Sequence, residues 1–114
     1  MKIFAALKKL REFEGIHLPF LKTLIDFDII IEIGYAQEQG RPLTLKRLYL
    51  VGISSRATIC RRLGRLEEQG VVIRETKEND RRSSSLTISS ASHKAIVKYV
   101  RSFISISSLF KLER

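Results

Sequence analysis

Residues 44–74 read TLKRLYLVGISSRATICRRLGRLEEQGVVIR, and this stretch decides the fold. Thr44 is a good helix N-cap, because its hydroxyl can accept from an otherwise orphaned backbone N–H. It opens a short helix over 45–51 that offers Leu45, Leu48 and either Leu50 or Val51 for packing. Gly52-Ile53-Ser54 is a turn. Ser55 caps a longer helix over 56–69, and Gly70 closes it in the position just past the helix, where a left-handed residue is needed. On that second helix Ile59, Leu63 and Leu66 share one side at 3.6 residues per turn and read as core. The other side carries Ala57, Thr58, Arg61, Gly64 and Arg65. Val71-Val72-Ile73-Arg74 is β-branched and reads as a strand.

Working outward, residues 77–82 are a charged turn and Leu86-Thr87-Ile88 returns as a second strand. The outgoing strand meets Ser83-Ser84-Ser85 first, so it is expected to be short. Ser89 caps a last helix over about 90–111, with Ile96, Val97, Val100, Phe103, Ile104 and Phe110 on its apolar side. Toward the N-terminus, Ile3, Phe4, Leu7, Leu10 and Phe13 give an amphipathic helix over 2–13 that Glu14-Gly15 ends. His17-Leu18-Pro19 is expected to start the next helix, with Pro19 in its first turn, where a missing N–H costs little. That helix runs to about Gln39. Phe20, Leu21, Leu24, Phe27, Ile30, Ile31, Ile33 and Tyr35 make its apolar surface broad, as in a central helix buried on more than one side. Arg41-Pro42-Leu43 is extended.

A short helix, a tight turn, a second helix and a basic hairpin follow the order of a winged helix-turn-helix. The fold class is therefore mainly α with a small β-hairpin, in one domain over 1–114. Helices within 1–39 and 90–114 serve the core, and 42–89 holds the helix-turn-helix and the wing, the part expected to meet DNA.

Charge supports this reading. The 114 residues hold 21 Lys plus Arg and 12 Asp plus Glu, a formal net charge of +9. Residues 1–53 contain 8 basic and 6 acidic groups, and residues 54–114 contain 13 and 6. A basic excess concentrated in one half attracts polyanions. Arg61 and Arg65 offer forked donors that match the acceptor edge of guanine or phosphate oxygens. Thr58 lies on the first turn of the same face. Ser55 and Ala57 stand at the helix start, where backbone N–H groups and the dipole favour phosphate. Arg56 and Arg62 flank the face, as phosphate contacts or as solvated side chains. Arg81 and Arg82, at the hairpin tip, suit a narrow minor groove, and Asp80 supports the wing by pairing with one of them.

These residues resemble the MarR-type winged-helix transcriptional regulators over about 43–94. Leu43-Thr44 is similar to that family's start of the first motif helix. Ser55, Thr58 and Arg61 resemble its recognition-helix pattern. Leu63, Leu66 and Gly70-Val71-Val72 resemble its "rLeekGlv" segment. Asp80-Arg81-Arg82 is similar to its wing signature, and Ile88-Ser89 stands where it has Leu-Thr. The resemblance implies a homodimer built on the first and last helices, with one recognition helix in each half of a pseudo-palindromic duplex site. The apolar faces of those helices also need cover, which favours dimerisation over a membrane-surface role. The expected function is sequence-specific binding to double-stranded DNA. The alternative is a winged-helix module that binds protein through its terminal helices.

Other classes find little footing. A single Cys excludes an intramolecular disulfide and points to a reducing compartment, so the expectation is a cytoplasmic, nucleoid-associated protein. Cys60 reads as a small, partly buried hydrophobe. No stretch approaches the roughly 20 apolar residues of a membrane span. His17 and His93 lie far apart without ligand partners, so neither metal nor cofactor is expected. There is no Gly-rich phosphate loop, nucleophile set or carboxylate pair, and no catalytic role is expected.

Overall fold

The computed structural model describes residues 2–77 and 80–109. The chain forms two compact units, one of residues 1–19 with 90–114 and one of residues 20–89. The first contains helices α1 (Ile3–His17) and α5 (Ser90–Leu109), which pack on each other. The second contains α2 (Leu24–Glu38), β1 (Leu43–Thr44), α3 (Leu45–Val51), α4 (Arg56–Glu68), β2 (Val72–Lys77) and β3 (Asp80–Ile88).

Helix α1 passes through Gly15 rather than stopping there. Interactions along the helix offset the poor propensity of glycine: Arg11 pairs with Glu14 at 3.1 Å, and Phe13 stacks on His17 with centroids 5.7 Å apart. Pro19 ends this helix instead of opening the next. A residue before proline is driven out of the α region, and Leu18 takes φ −125° and ψ 58°.

Helix α2 starts five residues later than its expected Pro19 turn, at a capping box. The Asp26 N–H donates to Thr23 Oγ1 at 3.1 Å, and the Thr23 N–H donates to Asp26 Oδ2 at 3.2 Å. Its inward residues are Ile29, Ile30 and Ile33, whereas Leu24, Ile31 and Tyr35 are exposed. The apolar surface is broad as expected, but only part of it is covered. At its far end Gln37 Oε1 accepts from the Ile88 N–H at 2.9 Å, tying α2 to β3.

The sheet is antiparallel in the order β1–β3–β2. Leu43 pairs with Leu86 on one side of β3, and Val72 with Ile88 on the other. Strand β3 starts at Asp80 and includes the three serines. The expected short strand at 86–88 and charged turn at 77–82 are therefore corrected. β3 pairs with β2 from Asp80 to Ile88 around an irregularity at Glu75–Lys77, and with β1 at Ser85 and Leu86. This pairing outweighs the weak strand preference of serine. The core of this unit comprises Ile29, Ile33, Leu48, Ile59, Leu63, Leu66 and Leu86, all without solvent exposure. The sequence reading left Leu50 and Val51 as alternatives for packing; both are exposed. Helix α5 ends at Leu109 in the described residues, and Phe110 lies outside them.

Candidate nucleic-acid interface

The helix pair is set by local chemistry. Thr44 Oγ1 accepts from the Arg47 N–H at 3.2 Å and starts α3. Gly52 ends it at φ +81°, a left-handed conformation that a side chain would strain. Ser55 then caps α4 by accepting from the Thr58 N–H at 3.2 Å, while its hydroxyl donates to Thr58 Oγ1 at 2.9 Å. The Thr58 hydroxyl keeps its own proton for another acceptor. Ile59, Leu63 and Leu66 anchor α4 to the core, as expected, and this fixes which side faces out.

The exposed residues of that outward side are Arg56, Ala57, Cys60 and Arg61, with Thr58 half-buried beside them. Cys60 is exposed, not a buried hydrophobe. The Arg56 guanidinium carbon sits 4.8 Å from the centre of the Tyr49 ring, a cation–π geometry that links α3 to the first turn of α4. Burial and a hydrogen bond with Cys60 raise the Tyr49 pKa, against the opposing effect of Arg56. Arg56, Tyr49 and Cys60 thus form one cluster at the junction of the two helices.

Two arginines of α4 turn the other way. Arg62 donates from Nε to Asp26 Oδ1 at 2.6 Å and from Nη2 to Asp26 Oδ2 at 2.5 Å. Arg65 Nη1 donates to Asp26 Oδ2 at 3.3 Å and to the Phe20 carbonyl at 3.1 Å. The Asp26 side chain is fully buried. It also accepts from the Lys22 N–H at 3.0 Å and from Thr23 N–H. Burial pushes its pKa up, but hydrogen bonds from Arg62 and the two backbone groups, with the Arg62 charge, hold it below the ordinary carboxylate value. Arg62 and Arg65 therefore stand apart from the outward face on which the sequence reading placed Arg65. The sequence reading also missed Asp26, although the Thr-x-x-Asp spacing from Thr23 ahead of an apolar run was a visible capping signal.

The backbone of Asp80, Arg81 and Arg82 runs in β3, and their side chains lie outside the described residues. Arg74, on the incoming strand, is paired with Glu67 of α4 at 2.6 Å. Among the described residues there is no cluster of His, Cys, Asp and Glu able to hold a metal ion. Nor is any helix among them long and apolar enough to cross a membrane.

A capped second helix presenting cations, a tight turn before it and a hairpin after it make this a winged helix-turn-helix. No family model and no curated protein matches the chain. Among solved structures it is similar to the transcriptional regulator Tm0710 from Thermotoga maritima, with 27% identity over 93% of this chain and 70% of that one, at TM-score 0.61. It is similar to MarR, with 23% identity over 92% and 74% of the two chains and TM-score 0.62. It is also similar to an S. aureus MepR F27L mutant bound to an oligodeoxyribonucleotide, with 16% identity over 96% and 82% and TM-score 0.65. The chain shares the winged-helix fold of these structures.

Proposed function

We propose that the chain is a non-enzymatic transcriptional regulator that binds double-stranded DNA sequence-specifically as a homodimer in the cytoplasm, at the nucleoid. The observation that carries this reading is the outward side of α4. It combines exposed cations at Arg56 and Arg61, a half-buried hydroxyl at Thr58 and the small Ala57, which permits close approach. In this reading Thr58 and Arg61 reach base edges in the major groove, and Ser55, Arg56 and Ala57 sit against phosphate. Arg81 and Arg82 enter the minor groove, with Asp80 as support. Arg62 and Arg65 take no base-reading role, because Asp26 holds their guanidinium groups.

The homodimer reading is supported by the terminal helices. Ile3, Phe4 and Leu7 on α1, with Val100, Phe103 and Ile104 on α5, are all exposed in the single chain. A second copy is the occupant that matches the symmetry of a palindromic site.

The test is binding to random-sequence duplex DNA at two salt concentrations, followed by selection of preferred sequences from that pool. A steep salt dependence with an enriched palindrome supports a dimeric regulator, since each neutralised phosphate adds about 0.9 to the slope. A steep slope without enrichment leaves a non-specific DNA binder. Absence of binding at low salt removes the DNA reading and favours a protein partner.

A further inference from the structure

We propose that Asp26 is a positioning residue that determines specificity in DNA recognition, by fixing α4 and by withholding two of its four arginines from phosphate. This rests on the DNA-binding reading above. Asp26 is fully buried, yet accepts from five donors: the backbone N–H groups of Lys22 and Thr23, Arg62 Nε and Nη2, and Arg65 Nη1. The first two set the start of α2, and the last three hold the middle of α4. Arg65 adds a bond to the Phe20 carbonyl, so the segment entering α2 is fastened to the same helix. The other end of α2 is fastened to the wing strand by Gln37 and Ile88. Helix α2 thus joins the element that carries Thr58 and Arg61 to the strand that carries Arg81 and Arg82.

Two consequences follow for DNA. A planar carboxylate that pairs with Arg62 in bidentate fashion fixes orientation as well as distance. Ile59, Leu63 and Leu66 choose the outward side of α4, and because rotation about its axis would break the Arg62 pair, the carboxylate narrows the angle at which Thr58 and Arg61 project. The clamp also offsets one of the two positive charges and holds both guanidinium groups, which would otherwise add sequence-independent attraction to phosphate. Asp26 therefore favours readout over bulk attraction without touching DNA.

The experiment compares the full-length chain with Asp26→Asn and Arg65→Gln, using two probes. One is the duplex that the unaltered chain selects from a random pool, and the other is a scrambled duplex of the same length. The readouts are the ratio of the two affinities and the salt slope, taken below each variant's melting temperature. The unaltered chain is expected to prefer its selected duplex. For Asp26→Asn the ratio is expected to fall tenfold or more. Its slope is expected to steepen by about 1 to 2, as released arginines reach phosphate. For Arg65→Gln, which leaves the Arg62 pair in place, the ratio is expected to fall less, with an unchanged slope. A purely structural carboxylate would lower the melting temperature and leave both readouts unmoved, and that result overturns the proposal. If Asp26→Asn does not fold, an unchanged ratio in Arg65→Gln overturns it. Failure of the unaltered chain to bind either duplex removes the functional reading itself, whereas specific binding with an insensitive ratio removes only the role of Asp26.

Discussion

Arg61 and Arg62 are neighbours in sequence with opposite surroundings, and they should fail in opposite ways when truncated. Arg61 is exposed, so Arg61→Ala should barely change stability while weakening binding to the selected duplex by about 1–3 kcal/mol through loss of a base contact. Arg62→Ala leaves a buried carboxylate short of its bidentate partner. It should cost on the order of 3 kcal/mol in denaturant unfolding, tempered by the remaining Arg65 pairing. Chemical unfolding and salt-dependent titration of both variants check the pair; a reduced slope with intact stability for Arg62→Ala would contradict the assignment. The sequence made Arg61 legible, because the positions of Ile59, Leu63 and Leu66 define the opposite side of the helix. The same argument puts Arg65 on the outward face and Arg62 at its flank, whereas both pair with Asp26. Their partner Asp26 lies 36 and 39 residues earlier, and nothing local to α4 signals a buried carboxylate from another helix.

At the scale of the element, sequence was most informative where one residue's own conformation decides an end. Thr44 and Ser55 cap α3 and α4, and Gly52 and Gly70 adopt φ +81° and +72° where turns were expected. Gly52→Ala should therefore cost about 1 kcal/mol or slightly more, since the left-handed conformation is penalised for any residue with a Cβ. Its melting temperature should fall from backbone strain alone, because nothing lies within 4 Å of the added carbon. Sequence was least informative where longer-range partners decide. Pro19 suits a helix start by its fixed φ, but the Thr23–Asp26 capping box supplies a stronger start four residues on. Strand β3 extends through Ser83, Ser84 and Ser85 because β2 pairs along this stretch and β1 joins at Ser85, and that pairing is invisible in the segment's composition. Likewise, the two-residue strand β1 is stabilised by Leu86 and Ser85 rather than by its own propensity.

For the whole molecule, the charge excess and the order of elements were legible, whereas the division into units was set by which faces meet. The second unit depends on Asp26 in a manner that pH exposes. Its folded-state pKa lies below the ordinary value, so ionised Asp26 contributes stability that is fully present above the unfolded pKa of about 3.9 and is lost as pH falls through the lower folded value. Acid unfolding of the chain should steepen below about pH 4, and Asp26→Asn should flatten that limb. A limb of the same steepness in both proteins would assign the acid sensitivity elsewhere. The first unit makes a different demand. Phe103 is 46% and Phe4 79% exposed, on helices that also expose Ile3, Leu7, Val100 and Ile104. Water tolerates scattered apolar side chains, but so many on two packed helices favour association. Phe103→Asp should consequently halve the mass measured by sedimentation equilibrium. It should also weaken binding to a palindromic duplex far more than binding to a single half-site, because a dimer spanning one DNA turn of about 34 Å gains its affinity from two helices engaged together. Equal weakening on both duplexes would mean that α5 acts within one chain and that the second copy docks elsewhere.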